Sequence, residues 1–310
     1  MTSKPFRIAT RKSALALWQA EHVAARLRAL EPGLSVELVP MTTEGDRDLG
    51  ASLAASGGKG LFIKELEVAL TEGRAELAVH SMKDVPVLLA AEYVIAAVLE
   101  REDARDVFLS VKYRGFDALP QGARIGSSSL RRKSQLLHRR PDLIIEPLRG
   151  NVDTRLRKLQ DGHYDAIVLA MAGIKRLGLT APVMAQLDMA LSLPAVTQGI
   201  IGLECRSDDA TTRALLARLN HGPSWTAMLA ERALSRGLSG SCNLPLAGHA
   251  TLQGVMLSLT GRVGSPDGKI LLEAASSGPA TDPESVGIKL AQALLAQGAA
   301  EVLRDVEKQV

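Results

Sequence analysis

Apolar positions in the first eighty residues alternate between strand-like runs and helical spacing. Apolar runs at residues 5–10, 34–41 and 76–80 predict strands. Between them, apolar residues at helical spacing predict one helix over residues 13–30 and another that ends near Gly73. Strand and helix therefore alternate, a pattern typical of a parallel sheet covered by helices.

The same order of elements begins again near residue 123. Strands are predicted at residues 123–126, 143–147 and 165–170, and helices after the serines 127–129, at 152–161 and around Lys175-Arg176. Two similar halves of this kind predict two α/β lobes with ligands at the carboxyl ends of their strands. The cleft between two such lobes is the expected binding site.

The tail of the chain follows a different pattern. Alternation of Val255, Leu257 and Leu259 predicts a half-buried strand, residues 265–268 a hairpin turn, and residues 284–297 a helix. The residues predicted on the apolar face of that helix are Ile288, Ala291 and Leu295. These elements predict a small α+β domain.

Domain boundaries follow from these patterns and from a predicted returning strand at residues 195–205. We predict a discontinuous first α/β domain, a second α/β domain and a C-terminal α+β domain. Their predicted ranges are 1–99 with 200–219, 104–195, and 222–310.

Composition agrees with a soluble enzyme. The 310 residues are 46% hydrophobic and 23% charged, with a formal charge of +3 and a pI of about 8.9. This mild positive charge suits an anionic ligand. A nucleic-acid binder is the least favoured interpretation, because aromatic residues make up only 3% and the arginines are not contiguous.

Several chemistries lack their usual motifs. Cys205 and Cys242 form no CxxC pair, the six histidines show no metal-ligand spacing, and no Gly-x-Ser-x-Gly elbow occurs. Residues 1–10 lack the apolar core of a signal peptide, and no apolar run of about 18 residues is present. We therefore expect no metal, no membrane partner and a cytoplasmic location.

Basic residues recur where predicted strands end and helices begin. They are Arg11, Lys83, Arg131, Arg132, Arg149, Arg155 and Arg176. Any one of them could be an ordinary surface residue. Helix N-termini already favour anions, and guanidinium groups bind carboxylates bidentately. Their recurrence at equivalent turns of both halves predicts a ligand with many carboxylates.

Two further residues and one loop are candidates for chemistry. Asp84 follows a predicted strand; it is either an ion-pair partner of Lys83 or a carboxylate that exchanges protons and stabilises a developing cation. Cys242 follows a helix in a small-residue turn and is either a buried apolar thiol or a reactive one. Residues 51–60, which include Lys59, predict a mobile lid rather than a phosphate loop.

Six segments in order resemble the porphobilinogen deaminase family. They are Ile8-Ala9-Thr10-Arg11-Lys12-Ser13, Gly57-Gly58-Lys59-Gly60-Leu61-Phe62, His80-Ser81-Met82-Lys83-Asp84-Val85-Pro86, Gly126-Ser127-Ser128-Ser129-Leu130-Arg131-Arg132, Leu148-Arg149-Gly150-Asn151, and Glu231-Arg232 through Cys242-Asn243-Leu244-Pro245. The resemblance covers nearly the whole chain.

This resemblance implies a hydroxymethylbilane synthase, which condenses four porphobilinogen molecules head to tail and releases ammonia. It implies a dipyrromethane cofactor held by a thioether to Cys242, and Asp84 as the catalytic acid and base. The residues implied to hold cofactor carboxylates are Lys83, Ser13, Ser81, Ser128, Ser129, Arg131 and Arg132. Those implied to bind substrate and growing chain are Arg11, Arg149, Arg155 and Arg176.

Four positions depart from the family pattern. Ser241 precedes the cysteine where glycine is common, and Ser127 stands where threonine is frequent. Thr197 replaces the first glycine of a Gly-Gln-Gly segment, and Ala55 stands where lysine is often found. Of these, Thr197 is expected to stiffen an interdomain hinge, and Ala55 is expected to remove one substrate-contacting charge from the lid.

The predicted fold class is therefore α/β, with two periplasmic-binding-protein-like lobes flanking a cleft and a small C-terminal α+β domain. The alternative function is a two-lobed anion- or solute-binding protein without catalysis. We expect a monomeric enzyme of porphyrin and heme biosynthesis that acts on porphobilinogen and could hand its product to the next enzyme.

Overall fold

A computed structural model describes residues 4–43, 63–238 and 244–309 of the chain, with side chains up to residue 306. It divides into a first unit, residues 1–101 with 200–225, and a second unit, residues 102–199 with 226–310. The predicted boundaries of three domains are not tested by this division into two units, and they stay a prediction.

The secondary structure of the described residues begins with β1 (Phe6–Arg11), α1 (Ala14–Leu30), β2 (Val36–Met41), α2 (Lys64–Thr71), β3 (Leu77–Ser81), a 3-10 helix (Met82–Asp84) and β4 (Tyr93–Val98). It continues with β5 (Asp106–Ser110), a 3-10 helix (Phe116–Ala118), β6 (Arg124–Gly126), α3 (Leu130–Arg139), β7 (Ile144–Glu146), α4 (Val152–Gln160), β8 (Ala166–Ala170), α5 (Met171–Leu177) and β9 (Val183–Gln186). It ends with β10 (Ile201–Arg206), α6 (Ala210–Ala217), α7 (Gly222–Gly237), β11 (Leu246–Gln253), β12 (Met256–Gly264), β13 (Leu271–Pro279), α8 (Pro283–Ala296) and α9 (Ala299–Gln309).

The two large sheets have the same topology. The first runs β2-β1-β3-β10-β4 and the second runs β7-β6-β8-β5-β9. In each, the first three strands are parallel, and the fourth is antiparallel to both of its neighbours. The predicted repetition of two α/β lobes is therefore confirmed. In the first sheet, the antiparallel strand β10 comes from a segment about a hundred residues beyond β4.

Helices cover both faces of the first sheet, which explains why its central strands are apolar on both sides. Ile8 packs in one cluster with Leu27 of α1, and Ala9 packs in another with Leu66 of α2. The Ser13 hydroxyl caps α1 by accepting a hydrogen bond from the Ala16 amide at 3.4 Å. The cap starts the helix directly after β1, and this keeps Arg11 and Ser13 at the carboxyl edge of the sheet.

The second sheet is built in the same way. Ile125 packs in one cluster with Leu136 of α3, and Ile167 packs in another with Leu159 of α4. Ser129 caps α3, as predicted, through the Arg132 amide at 3.4 Å. The carboxyl ends of β6, β7 and β8 therefore meet at one edge, which carries the predicted serines and arginines.

A three-stranded meander of β11, β12 and β13 forms the C-terminal sheet, and the hairpin turn at residues 265–268 is confirmed by a bond from the Gly268 amide to the Ser265 carbonyl at 2.9 Å. Leu257 and Leu259 are buried as predicted. Val255 is 78% exposed, because it lies in the turn between β11 and β12 rather than in a strand.

The predicted apolar face of α8 is confirmed at Ala291 and wrong at its other two positions. Ile288 and Leu295 are 48% and 39% exposed, and the buried stripe is Val286, Gly287, Leu290, Ala291 and Leu294. The reason is a close helix crossing at Gly287, where an added Cβ would lie 2.2 Å from the Ala230 carbonyl oxygen of α7. The smallest residue therefore faces inward and turns the larger Ile288 toward solvent.

Among the described residues, no single helix is long and apolar enough to cross a membrane. The pair α8 and α9 reaches that length and composition only when taken together, across an 82° bend.

The predicted strand at 195–205 begins only at Ile201, because the preceding turn contains residues with positive φ. Gly199 has φ +90°, and Thr197 has φ +61°, a region where a β-branched side chain is strained. The buried Glu231 carboxylate accepts a bond from the Thr197 amide at 2.5 Å and so holds this turn. The departure from glycine at position 197 therefore places strain in the backbone.

Replacing Thr197 by glycine should stabilise the protein. Glycine adopts φ +61° without steric conflict, and we expect the free energy of unfolding to rise by about 1 kcal/mol. Thermal or urea unfolding measures the change. The control Thr197→Val keeps the branched Cβ and loses the hydroxyl bond to the Val196 carbonyl, so it should be no more stable than the unmodified protein. Lower stability of Thr197→Gly would contradict the assigned strain.

Candidate active site

The first unit collects polar side chains at the carboxyl edge of its sheet. β1 and β3 are parallel neighbours, so Arg11 and the turn after β3 come to the same edge. A pocket opens there, and its polar lining side chains are Arg11, Ser13, Gln19, His80, Ser81 and Asp84. The structure therefore brings together Arg11 and Ser13 of one predicted motif segment with Ser81 and Asp84 of another.

Asp84 ends the 3-10 helix that directly follows β3. Met82 opens this turn and is 1% exposed, and its amide donates to the Ile200 carbonyl at 3.0 Å. The Val85 amide closes the turn on the Met82 carbonyl at 3.2 Å. Lys83 and Asp84 are partly exposed. The turn thus has one buried residue, which fixes it in place, and two polar residues that solvent and ligand can reach.

Gln19 is a site residue that the sequence analysis did not identify. It lies on α1, is 2% exposed, and its side-chain amide donates to the Ser81 hydroxyl at 2.9 Å. This bond ties α1 to the residue that precedes the Asp84 turn. A polar residue on the buried face of an amphipathic helix was the signal that could have revealed it.

His80 and Glu204 form a second buried pair that the sequence analysis missed. The His80 Nε2 lies 2.7 Å from a Glu204 carboxylate oxygen, and both side chains are at most 4% exposed. Nearby Glu67 has its pKa raised to about 7, first by burial and then by the charge of Glu204. The pair joins β3 to β10 at the pocket, which His80 lines.

The second unit contains a fully buried carboxylate between two arginines. Asp106 accepts from Arg131 Nη1 at 2.8 Å and from Arg132 Nη2 at 2.8 Å, and also from Ser192 Oγ and Gln198 Nε2. Burial alone would raise the pKa of the Asp106 carboxyl, but the two guanidinium charges hold it well below its usual range. One carboxylate therefore fixes both arginines at the start of α3.

The two arginines differ in whether a guanidinium nitrogen lacks a hydrogen-bond partner among the described residues. Arg131 is 4% exposed and donates to Asp106 and to the Leu193 carbonyl, so the contacts described for its terminal nitrogens lie within the protein. Arg132 is 6% exposed, and its Nε has no hydrogen-bond partner among the described residues. Two guanidinium groups share one carboxylate, which leaves one positive charge to be balanced. An anion fits this position.

The remaining predicted residues of the second unit lie at or after the carboxyl ends of β6, β7 and β8. Ser128 Oγ donates to the Leu148 carbonyl and accepts from its amide, both at 3.0 Å. Arg155 Nε donates to the Gly150 carbonyl at 2.7 Å. Arg176 donates to the Gly199 carbonyl at 2.6 Å, and burial lowers its pKa to about 10. Arg149 is partly exposed next to Gly150, whose φ is +109°.

Two predicted site residues, Cys242 and Lys59, lie outside the described residues. The other cysteine, Cys205, is buried, and burial raises the pKa of its thiol to about 11. In the described part of the chain, no group of three histidine, cysteine or acidic side chains could hold a metal ion.

Two family models match the chain. "Porphobilinogen deaminase, dipyromethane cofactor binding domain" matches residues 6–214, and "Porphobilinogen deaminase, C-terminal domain" matches residues 225–296. The chain belongs to the porphobilinogen deaminase family. Two relatives named porphobilinogen deaminase, from two strains of Acidithiobacillus ferrooxidans, are each 55% identical over 300 residues, with 97% of this chain and 97% of each relative covered.

Family membership establishes the activity. The chain is a transferase of tetrapyrrole biosynthesis with hydroxymethylbilane synthase activity, which joins four porphobilinogen molecules head to tail and releases ammonia. Its residues 6–214 correspond to the region described as binding the dipyrromethane cofactor. The alternative of a solute-binding protein without catalysis is not favoured.

Solved structures of other function resemble the fold at low identity. The VFT2 domain of Bordetella pertussis BvgS is 16% identical with a TM-score of 0.42, covering 69% of this chain and 85% of that one. The probable amino-acid ABC transporter extracellular-binding protein ytmK of Bacillus subtilis is 9% identical with a TM-score of 0.41, covering 70% and 90%. The assignment of activity does not depend on either.

Replacing Asp106 by asparagine should strongly destabilise the second unit. The change leaves two buried guanidinium groups without a counter-charge, and we expect a loss of about 3–5 kcal/mol in the free energy of unfolding. Urea unfolding near neutral pH measures it. The control is Asp208→Asn, since the Asp208 side chain is 85% exposed and should contribute little.

The loss of stability caused by Asp106→Asn should also depend on pH. Because the pKa of Asp106 is lower in the folded protein than in the unfolded chain, its stabilising contribution is fully present above about pH 4. It is lost as the pH falls through the lower folded-state value. The stability difference between Asp106→Asn and the unmodified protein should therefore shrink below about pH 4, and a difference independent of pH would contradict the ion pair.

Proposed function

We propose that the site residues of each unit serve hydroxymethylbilane synthesis, with Asp84 as the catalytic acid and base and Cys242 as the covalent attachment point of a dipyrromethane. The observation that carries the carboxylate-binding role is the buried Arg132, whose Nε has no partner among the described residues and whose charge is not balanced by Asp106 alone. Substrate and cofactor both carry acetate and propionate groups that match this demand.

The residues present fit such a cofactor. Arg132 would hold one carboxylate at the start of α3, supported by the free N–H groups at that helix terminus. The other side chains proposed to bind its carboxylates are Lys83, Ser13, Ser81, Ser128, Ser129 and Arg131. Arg131 would act mainly through its charge, because the described hydrogen bonds of its guanidinium go to Asp106 and Leu193. When bound, the dipyrromethane supplies the pyrrole end on which the chain is built.

Asp84 would carry the proton transfers. Its carboxyl would donate a proton to the departing amine of porphobilinogen, and its carboxylate would stabilise the cation that remains on the substrate. After coupling, it would help to remove the proton from the terminal carbon. Its position supports this role, since Asp84 lines the pocket together with Arg11 and is set on a turn anchored by a buried residue.

The remaining arginines would bind the incoming substrate and the growing chain. Arg11 shares the pocket of Asp84, whereas Arg149, Arg155 and Arg176 lie at or after the carboxyl ends of strands in the second unit. Lys59 would add a further positive charge. We further propose a monomeric cytoplasmic enzyme with the three domains given above, which could hand its product to the next enzyme of the pathway.

The attachment to Cys242 is tested by intact mass spectrometry. The purified protein should carry an adduct of two pyrrole units, and Cys242→Ser should lack it. The matched control is Cys205→Ala, which should keep the adduct, because Cys205 is buried and its raised pKa disfavours the thiolate that attacks.

Two outcomes of this measurement would overturn the attachment. One is an unmodified mass in fully active protein, and the other is an adduct that persists in Cys242→Ser. In the same series, Arg132→Gln should lower the fraction of protein that carries the adduct, since it removes the proposed partner of a cofactor carboxylate. An unchanged fraction would remove Arg132 from cofactor binding.

Asp84→Asn should lower the rate of ammonia release from porphobilinogen by at least about 100-fold, because the amide can neither donate nor accept the proton. The midpoint of thermal unfolding should change little, since Asp84 is partly exposed. Asp84→Glu is the matched control: it keeps a carboxyl group and should retain measurable turnover. Near-normal ammonia release by Asp84→Asn would exclude the proposed role.

A further inference from the structure

The turn that carries Asp84 rests on a glycine of the neighbouring strand. Gly202 of β10 pairs with His80 of β3, and the Met82 side chain lies directly over it. A Cβ added at position 202 would lie 2.1 Å from the Met82 sulfur and 2.9 Å from its Cγ. Gly202 does not have a positive φ. A glycine is therefore needed at this position for the packing of Met82 and not for the backbone conformation.

Met82 has little room to move away from an added methyl group. Its side chain is 1% exposed, and its amide is bonded to the Ile200 carbonyl of the same returning segment. His80, which pairs with Gly202 across the two strands, also contacts Glu204 and so fixes β3 against β10. A methyl group at position 202 would therefore displace Met82.

Displacement of Met82 would be transmitted to Asp84. The two residues are the first and last of one 3-10 helix, closed by the bond from the Val85 amide to the Met82 carbonyl. Only Lys83 separates the two residues, so little chain is available to compensate for a shift at the start of the turn. Catalytic groups tolerate little misplacement: about 1 Å can lower a rate 100-fold.

We infer that Gly202 is a positioning residue for the reaction, which holds the Asp84 carboxyl in place by leaving room for the Met82 thioether. The inference rests on the proposed catalytic role of Asp84. Gly202 itself touches no substrate; it acts through Met82 and the turn.

The test is a double-mutant cycle with Gly202→Ala, Met82→Ala and the double variant. Gly202→Ala should lower kcat for ammonia release at least 10-fold and leave KM for porphobilinogen within about twofold, because the arginines that bind carboxylates are untouched. Amide exchange at Val85 should become faster. Adding Met82→Ala should restore part of the lost kcat, since the clash needs both side chains; independent effects would instead multiply.

Gly278→Ala is the control for a crowded strand glycine. An added Cβ at position 278 meets a Val286 side-chain carbon at 2.8 Å in the C-terminal sheet. This variant should lose some thermal stability and keep its kcat. Equal losses of kcat in Gly278→Ala and Gly202→Ala would show a general effect of destabilisation and overturn the inference.

Other outcomes separate this inference from the role of Asp84. If Asp84→Asn is inactive while Gly202→Ala keeps the unmodified kcat, or if Met82→Ala restores nothing, Gly202 is not a positioning residue. If Asp84→Asn is active, the proposed mechanism fails first. Should Gly202→Ala not fold, Met82→Ala alone decides: a kcat lowered several-fold with faster exchange at Val85 supports the inference, and an unchanged kcat overturns it.

Discussion

The site of the second unit depends on one buried carboxylate. Two guanidinium groups next to each other in a medium of low polarity repel, and they would each face a large desolvation penalty without a counter-charge. Asp106 offsets this with its two oxygens, and Ser192 and Gln198 complete its hydrogen bonds. Because one acid serves two bases, the cluster has a counter-charge and still keeps one positive charge for an anion to balance. The pairing of one carboxylate with two guanidinium groups therefore stabilises the cluster and also leaves it positively charged.

The first unit holds its candidate acid, Asp84, in place through the turn that carries it and not through a buried ion pair. Asp84 sits on a turn whose buried member, Met82, is fixed by contacts with the returning strand β10. The carboxyl therefore gains its position from apolar packing and main-chain bonds, and Asp84 itself stays partly exposed. In both units the candidate site residues lie at the carboxyl edge of a sheet, where the polar turns that follow parallel strands come together.

The sequence predicted what local patterns encode. Periodicity located the parallel strands of both lobes and the helices between them, and residue type at strand ends singled out the arginines, serines and Asp84 as candidates. Partners distant in sequence were missed: Asp106 lies 25 positions before Arg131, and Glu204 lies 124 positions after His80. The inward face of α8 was also missed, because a close crossing at Gly287 overrides the larger apolar residues beside it. The spacing of apolar residues along the sequence does not show which surfaces pack against each other in the folded chain.

The order of strands in the first sheet has a consequence for synthesis on the ribosome. β10 lies between β3 and β4, yet it is translated about a hundred residues after them. Until it emerges, β3 is an exposed edge strand and β4 has no partner in the sheet, and edges of this kind invite mispairing. All strands of the second sheet lie between residues 106 and 186, so that sheet can close earlier. The chain's own order thus implies that its N-terminal lobe completes folding after the lobe that follows it.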